Sequence, residues 1–298
     1  MLRAVERKIE QFVAELEDRE VQSLYAKLPH GKRLRAKLIL KIAGESLPVV
    51  KTAAVVEMIH AASLLHDDVI DDADMRRNKP SLNALYGNKT AIMLGDILYS
   101  KGFFELNNIS AEVAKLISNA VTQLSLGELK DVSLSQSFNP DKASYMKMIY
   151  QKTASLIEAS AGAAAVLAGK PKAPFMTYGR NLGLAFQMID DLLDITQESD
   201  TLGKPAMHDF VEGKTTLPYI YLYESLDESG RERLKSMHRK RLDKASLNWL
   251  KAEFEERQIL LKCYAQAKEL IDEAVELMNR HGEDALSDIA TEMIDREF

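Results

Sequence analysis

The aspartate pattern DDxxD occurs twice in the chain, as Asp67-Asp68-Val69-Ile70-Asp71 and as Asp190-Asp191-Leu192-Leu193-Asp194. If both stretches are helical, the first and last aspartates of each lie about 40° apart on the helical wheel and one turn apart along the axis. Two carboxylates then point the same way, with room for a cation between them. Oxygen ligands of this kind suit Mg²⁺, which keeps several waters and takes phosphate oxygens as further ligands.

Both aspartate groups follow strongly apolar sequence, at 59–65 and 182–189. Like charges one turn apart on a helix repel each other, and carboxylates beside a core are costly without a partner. A divalent cation offsets both effects. A single DDxxD is as typical of a solvated helix face, but two matching groups beside apolar helices favour a pair of metal-binding sites that hold a diphosphate between them.

Basic residues that can bind an anion lie near the first aspartate group and near the N-terminus. Arg76 and Arg77 follow the first group directly, and arginine binds phosphate in bidentate geometry. Lys32, Arg33 and Arg35 lie at the predicted start of a helix, where backbone N–H groups attract anions. By itself this second set is more typical of a solvated basic patch than of a binding site.

The segment 200–218, which follows the second aspartate group, is long for a connection between helices. Long loops of this kind are often lids over active sites. Lys204 and Lys214 lie in the segment. They can close over a bound phosphate, although each taken alone is equally typical of an exposed lysine.

Polar residues interrupt apolar helical sequence at three further places. His60 precedes Asp67 by two turns and lies about 20° from it on the wheel, so it can donate to a phosphate oxygen. A lone histidine on an apolar helix is more often a core residue. Gln187 lies one turn before the second aspartate group, and Lys152-Thr153 lies in the middle of an apolar helical stretch.

Apolar residues repeat at three- and four-residue steps along most of the chain, which predicts helices. The longest predicted helices cover 52–72, 90–106, 111–134, 145–168 and 175–195, with shorter ones at 5–16, at 34–43 and after 217. Glycine and proline are scarce, at 14 and 8 residues, and no convincing strand pattern is present. No linker has the composition of a domain boundary. We therefore expect an all-α fold, with one large domain over 1–298.

Composition excludes several classes of protein. The net charge of -6 argues against a strongly basic nucleic-acid surface. The single cysteine, Cys263, cannot form an internal disulfide or a cysteine-based zinc site, and its helical context predicts a buried thiol. Residues 1–20 lack a signal-peptide core, and no uninterrupted apolar run approaches the ~20 residues of a membrane span. We expect a soluble, cytoplasmic protein.

Four segments of the chain, in this order, resemble blocks of one known family: Gly31-Lys32-Arg33-Leu34-Arg35, residues 64–81, residues 183–194 and Gly213-Lys214-Thr215-Thr216-Leu217-Pro218. They span most of the chain and are jointly specific. The family is that of the trans (E-type) isoprenyl diphosphate synthases, or polyprenyl synthetases. The resemblance implies an all-α antiparallel helical bundle around a deep central cavity, usually in a homodimer.

The resemblance also implies a role for each candidate residue. Mg²⁺, with three ions per site when substrate is bound, would be held by Asp67, Asp71 and Asp190. Further catalytic residues would be Asp68, Asp191, Asp194, Lys152 and Lys204. An allylic diphosphate of geranyl or farnesyl type would be bound by Arg76, Lys152, Thr153, Gln187 and Lys204, with Lys214 nearby. Isopentenyl diphosphate would be bound by Lys32, Arg35, His60 and Arg77.

The implied reaction is the head-to-tail condensation of isopentenyl diphosphate with the allylic diphosphate. In this family, bulky aromatic residues just before the first aspartate group stop chain growth early. Ala62 and Ser63 occupy those positions here and are small, so we expect a long-chain product. Asn78 stands where the family usually has glycine. Because asparagine tolerates left-handed backbone geometry in a turn, we expect no loss of activity.

Three alternative functions compete with this interpretation. A class I terpene cyclase shares the metal chemistry but normally has one DDxxD opposite an Asn/Ser/Glu motif. A non-catalytic subunit of a heteromeric synthase tends to lose its aspartates, whereas a catalytic subunit that needs a partner would keep them. A purely structural helical bundle would leave both aspartate groups unexplained. We expect no nucleic-acid partner, and membrane association only through the product.

Overall fold

The computed structural model describes residues 1–29, 31–196 and 207–294. Lys204 and the neighbouring part of the predicted loop therefore lie outside the described residues. The chain is 79% helical, which confirms the all-α prediction.

The helices of the first part of the chain are α1 (Leu2–Ala14), α2 (Arg19–Tyr25), α3 (Leu34–Ala43), α4 (Leu47–Ile70), α5 (Leu82–Tyr86), α6 (Asn88–Leu106) and α7 (Ala111–Leu134). The next helices are α8 (Lys142–Ile149), a π-helical segment (Tyr150–Ala154), α9 (Ser155–Leu167), α10 (Lys172–Thr196) and α11 (His208–Glu212). The last are α12 (Leu217–Ser225), α13 (Glu228–Met237), α14 (Lys244–Glu256), α15 (Ile259–Arg280), a 3₁₀ turn (Asp284–Leu286) and α16 (Ser287–Ile294).

Contacts between Cα atoms divide the chain into two compact units, one of residues 1–121 and 156–179 and the other of residues 122–155 and 180–298. The first unit is called the N unit below and the second the C unit. The single domain over 1–298 stays a prediction.

Helix α4 is the core helix of the N unit, where it packs against α1, α3 and α6. Residues 52–59 are all buried, so the helix is covered on every side, as expected for a helix that is apolar all round. By length and composition α4 could cross a membrane, although Lys51 and Glu57 interrupt its apolar sequence. Its most apolar window has a mean hydropathy of 1.4 and is 67% buried, which suits the core helix of a folded unit.

A small β-hairpin, which no sequence pattern predicted, follows α4. Strand β1 (Met75–Arg76) pairs antiparallel with β2 (Lys79–Pro80). The two turn residues between them, Arg77 and Asn78, have φ angles of 52° and 58°, the geometry of a tight type I′ turn. Two-residue strands are too short to show an alternating pattern. The predicted tolerance of Asn78 for left-handed geometry is confirmed.

The core of the C unit forms around α12, which packs against α8, α13, α14 and α15. The ring of Tyr219 on this helix stacks on Phe210 at 4.2 Å between centroids and meets Phe254 edge-on. Cys263 is fully buried, which confirms its predicted environment, and burial raises the pKa of its thiol to about 12.

The predicted helix over 145–168 is divided in the structure. Helix α8 runs into the π-helical segment, and α9 follows that segment without a loop. Short π-helical stretches inside helices occur frequently at functional sites. The predicted boundaries of the other long helices agree with the structure to within a few residues, whereas the seven-residue α2 was not predicted.

Candidate functional site

The first aspartate group lies at the C-terminal end of α4 in the N unit. Asp67 is half-buried, and Asp71 is exposed and caps the helix. The backbone N–H of Asp71 donates to the carbonyl of Asp67 at 2.8 Å, so the two residues are one helical turn apart, as predicted. A helix C-terminus carries partial negative charge, which adds to the repulsion between the carboxylates and favours a bound cation there.

Asp68, the second residue of this group, is only 3% exposed and points away from solvent. The Nε of Arg76 donates to both of its carboxylate oxygens, at 2.7 and 2.8 Å, and Nη2 lies 2.6 Å from Oδ1. The side chain of Asn83 donates to the carbonyls of Asp68 and Ala73. Asp68 therefore attaches the arginine-bearing hairpin to the end of α4.

A dense group of positive charges surrounds His60, two turns before the aspartates on α4. Burial lowers the pKa of His60 well below its ordinary value, and the charges of Arg35, Arg77, Arg76 and Arg33 lower the pKa further. The imidazole is therefore neutral at physiological pH. Arg33 and Arg76 are paired with carboxylates, so Arg35 and Arg77 supply the positive charge that attracts an anion to this part of the N unit.

Two of these arginines retain hydrogen-bonding capacity. The Nε of Arg35 is buried and has no hydrogen-bond partner among the described residues, and burial lowers the pKa of Arg35. Arg77 donates to the carbonyl of Pro29 at 3.2 Å. A Cβ on Gly31 would lie 2.6 Å from Nη1 of Arg77, so a side chain at this position would make the guanidinium shift. A buried unpaired donor is costly, and a bound diphosphate would satisfy it.

Arg33 and Lys32, the neighbours of Arg35, have different environments. Arg33 binds Glu6 at 2.7 Å and Glu57 at 3.3 Å, so its charge is used inside the N unit. Lys32 is exposed. The structure thus brings Arg35, Arg77 and His60 together and leaves Lys32 on the surface of the same unit.

The second aspartate group lies near the C-terminal end of α10 in the C unit. Asp190 is exposed, whereas Asp191 is only 3% exposed. Asp191 accepts hydrogen bonds from the hydroxyl of Tyr145 at 2.6 Å and from Nε2 of Gln187 at 2.9 Å. Thr153 donates to Oε1 of Gln187 at 2.7 Å. In both groups, then, the first aspartate lies nearer the surface and the second is held by its own unit.

Asp194, the last residue of the second group, holds the start of α11, a short helix that lies inside the predicted loop of residues 200–218. Its carboxylate accepts the backbone N–H groups of His208 and Asp209, both at 3.2 Å, and its carbonyl accepts that of Met207 at 2.8 Å. Burial raises the pKa of Asp194 to about 7, and the charge of Asp209 contributes to the shift. Asp194 therefore caps α11 and attaches it to α10.

Lys152 lies in the π-helical segment and is held by two buried carboxylates of α7. Its Nζ is 2.6 Å from Oδ2 of Asp131 and 2.8 Å from Oε2 of Glu128. The next residue, Thr153, contacts Gln187 on α10 instead. The segment therefore joins α7 to α10, with the predicted substrate-binding pair in its centre.

Two glycines allow this close packing. A Cβ on Gly127 of α7 would lie 2.3 Å from the backbone nitrogen of Lys152, and a Cβ on Gly183 of α10 would lie 2.4 Å from Cα of Ala154. No side chain fits at either position. Sequence reasoning missed Glu128 and Asp131. The signal that could have found them is an acidic pair three residues apart on a helix face that is otherwise buried.

The remaining predicted residues are divided between the units. In the N unit, Ala62 is fully buried and Ser63 nearly so, and the hydroxyl of Ser63 donates to the carbonyl of His60 at 2.9 Å. In the C unit, Nζ of Lys214 lies 3.0 Å from Glu212.

The carboxylates of the two aspartate groups are the candidate metal ligands. Within residues 1–29, 31–196 and 207–294, no three His, Cys, Asp or Glu side chains are close enough to hold a metal by themselves. Asp67 and Asp71 in the N unit offer hard oxygen ligands, and so does Asp190 in the C unit. Each group fits Mg²⁺, which binds proteins through one or two carboxylates and completes its octahedron with water and phosphate oxygens.

The family model for polyprenyl synthetases matches residues 19–254. The chain belongs to the polyprenyl synthetase family. An octaprenyl diphosphate synthase of Escherichia coli is 41% identical over 201 residues, which cover 64% of this chain and 62% of that protein. A short-chain isoprenyl diphosphate synthase of Methanothermobacter thermautotrophicus is 37% identical over 219 residues, which cover 70% of this chain and 67% of that protein.

Similarity to a solved structure extends over the whole chain. The crystal structure of an octaprenyl pyrophosphate synthase from Helicobacter pylori has a TM-score of 0.93 and 42% identity, and the match covers 99% of this chain and 98% of that one. The aligned segments cover only 51% to 64% of the length of several curated relatives of this family.

Proposed function

We propose that this member of the family condenses isopentenyl diphosphate with an allylic diphosphate, head to tail and with trans geometry, to make a long-chain polyprenyl diphosphate. The observation that carries the proposal is the pair of aspartate groups at helix C-terminal ends. In each group the first aspartate lies nearer the surface, and the second is held by hydrogen bonds inside its own unit. The basic groups near them supply the charge that a diphosphate requires.

Asp67, Asp71 and Asp190 are the proposed Mg²⁺ ligands, with three ions per site when substrate is bound. Bound Mg²⁺ would neutralise the negative charge that develops on the departing diphosphate. Asp68, Asp191 and Asp194 serve the site indirectly. They orient, respectively, the hairpin, the last turns of α10 and the start of α11.

The basic group of the N unit is the proposed site for isopentenyl diphosphate. The unpaired Nε of Arg35 and the guanidinium of Arg77 would donate to its phosphate oxygens. Neutral His60 would donate one further hydrogen bond without adding a charge. Lys32, exposed nearby in sequence, would contribute electrostatic attraction.

The allylic diphosphate is assigned to Arg76, Lys152, Thr153, Gln187 and Lys204, with Lys214 nearby. Lys152 and Lys204 supply cationic donors for the leaving group, and Thr153 and Gln187 are held in place by their mutual hydrogen bond. Because Glu128 and Asp131 hold Lys152 at a fixed position, its charge needs little reorganisation during the reaction.

The proposed reaction needs no protein nucleophile. The allylic C–O bond breaks, and its electron pair leaves with the diphosphate. The double bond of isopentenyl diphosphate then supplies the electron pair of the new C–C bond, and a proton passes to the released diphosphate. Water must be excluded so that it does not capture the allylic cation, and we assign that task to the segment 200–218.

Product length is assigned to Ala62 and Ser63. Both are buried on α4 within two turns of Asp67, and neither fills space as an aromatic side chain would. Relatives named for octaprenyl and for short-chain products have similar identity to this chain. Overall similarity therefore does not decide product length, and these two small residues carry the proposal.

We propose a homodimer as the working form. Met93 and Phe104, about three turns apart on one face of α6, are 55% and 61% exposed. Large apolar residues exposed together on one helix face are typical of protein interfaces. With a net charge of -6, a nucleic-acid partner is not proposed. We propose that the protein associates with membranes only through its product and that it is located in the cytoplasm.

Incubation of the purified protein with Mg²⁺, isopentenyl diphosphate and a series of allylic diphosphates, followed by chromatographic sizing of the products, tests this function. We expect polyprenyl diphosphates of long chain length. Asp67→Ala and Asp190→Ala should fold and lose at least about 100-fold in kcat, because each removes metal-held charge at the leaving group.

Asp74→Ala is the matched control, because Asp74 is exposed just beyond the first aspartate group. It should keep wild-type turnover and a wild-type circular dichroism spectrum. Near-normal turnover in Asp67→Ala or Asp190→Ala would contradict the assignment of the metal ligands. If no primer gives a chain-extended product, the proposed function is refuted.

A further inference from the structure

The stretch 145–153 covers the second half of α8 and most of the π-helical segment. Hydrogen bonds attach it to α10 at both of its ends. At one end the hydroxyl of Tyr145 donates to Asp191 at 2.6 Å. At the other end Thr153 donates to Gln187 at 2.7 Å. Gln187 in turn donates to Asp191 at 2.9 Å, so the two attachments form one continuous network.

Each polar side-chain atom of Asp191 and Gln187 takes part in one hydrogen bond of the network. Oδ1 of Asp191 accepts from Gln187, and Oδ2 accepts from Tyr145. The amide of Gln187 accepts through its oxygen and donates through its nitrogen. Tyr145 and Asp191 are 2% and 3% exposed, so water cannot replace a lost partner without entering the core.

We propose that Tyr145 is a positioning residue of the reaction, because its hydroxyl locks Asp191 and thereby holds Asp190 and Lys152 in fixed relation. The proposal rests on the proposed function, in which Asp190 binds metal and Lys152 binds the leaving diphosphate. Asp190 is the residue directly before Asp191 on α10. Lys152 is the residue directly before Thr153.

Loss of the Tyr145 hydroxyl would act through Asp191. The buried Oδ2 of Asp191 would then have no donor, which costs free energy. The side chain can lower this cost by moving toward water or toward another donor. Either movement rotates the turn of α10 that carries Asp190. The effect should therefore appear in magnesium and diphosphate binding and in turnover. It should spare isopentenyl diphosphate, whose proposed ligands belong to the N unit.

The test compares Tyr145→Phe with the wild type. We expect a fall in kcat of about 10- to 100-fold, the size associated with displacement of a catalytic group by about 1 Å. The Mg²⁺ concentration for half-maximal rate should rise several-fold, and the KM for isopentenyl diphosphate should stay within about twofold. Calorimetry with Mg²⁺ and inorganic diphosphate should show weaker binding, which is independent of turnover.

Two controls separate positioning from general destabilisation. Ile271→Val, in the core of the same unit, should lower Tm moderately and leave the Mg²⁺ dependence unchanged. Asp191→Asn keeps the shape of the carboxylate and should show a milder form of the same loss. In the double variant the two effects should not add, since both act on one hydrogen bond.

A wild-type Mg²⁺ dependence and kcat in Tyr145→Phe, or additive losses in the double variant, would overturn the proposal. If Tyr145→Phe does not fold, the proposal is tested by comparing Asp191→Asn with Ile271→Val. Equal Mg²⁺ dependence in those two variants would contradict the proposal. Failure of the wild type to extend any primer would refute the proposed function instead. The calorimetric comparison would still test Tyr145.

Discussion

Replacement of Gly183 by alanine should displace the π-helical segment and reduce activity far more than stability. The new Cβ would lie 2.4 Å from Cα and 2.7 Å from Cβ of Ala154. Carbon atoms in contact prefer a separation of about 3.5 Å or more. Since Ala154 offers backbone atoms and not a flexible side-chain end, one helix must move from the other by about 1 Å.

The cost in stability is moderate because two effects oppose each other. Overpacking of this kind lowers the free energy of unfolding by about 1–3 kcal/mol. Replacing a glycine inside a helix by alanine raises it by about 0.5–1 kcal/mol. The net loss should be about 0–2.5 kcal/mol. The cost in rate is larger, because Ala154 belongs to the segment that carries Lys152 and Thr153. A displacement of about 1 Å at catalytic groups can lower turnover about 100-fold.

The assay is steady-state product formation with both substrates saturating, together with thermal unfolding of each variant. Gly102→Ala is the matched control: Gly102 also lies inside a helix, but its Cβ would meet side-chain carbons of Ile59 and Val55 at 3.4 Å, close to an ordinary van der Waals contact. It should keep wild-type kcat and an equal or higher Tm. Wild-type turnover in Gly183→Ala would refute the view that this close approach fixes the position of Lys152.

Two further predictions concern product length and assembly. Ala62→Phe should shorten the product, because a phenyl ring on the buried face of α4 would block the growing chain, and an unchanged product distribution would contradict the role of Ala62. Phe104→Asp should weaken the homodimer, as measured by light scattering after gel filtration, whereas Leu261→Asp, at a site that is 60% exposed on α15, should not. A dimer that withstands Phe104→Asp would exclude α6 as the interface.

Local sequence was sufficient to predict most of the helices and the aspartate groups. Apolar periodicity identified α4 and α10, since buried faces repeat with the helical period wherever the partner helix lies. The DDxxD spacing predicted a one-turn separation, which the hydrogen bond between Asp67 and Asp71 confirms. The left-handed turn at Asn78 followed from the conformational tolerance of asparagine.

Features that depend on contacts between distant residues were not predicted. The π-helical segment is one example, because its geometry is accommodated by glycines on two other helices. The ion pairs of Lys152 with Glu128 and Asp131 are another example. They form only because the π-helical segment packs against α7, more than twenty residues earlier in the chain. The role of Tyr145 also could not be predicted, because a lone tyrosine in an apolar helix gives no sign of its partner 46 residues away.

The sequence by itself determined which residue types are available and in what local register, because helical spacing fixes the direction of side chains one turn apart. It therefore determined that the chain carries two carboxylate pairs suited to a cation. Tertiary structure alone decided which aspartate of each group turns inward. That choice depends on Arg76 for Asp68 and on Tyr145 and Gln187 for Asp191, donors that only the folded chain brings within hydrogen-bonding distance.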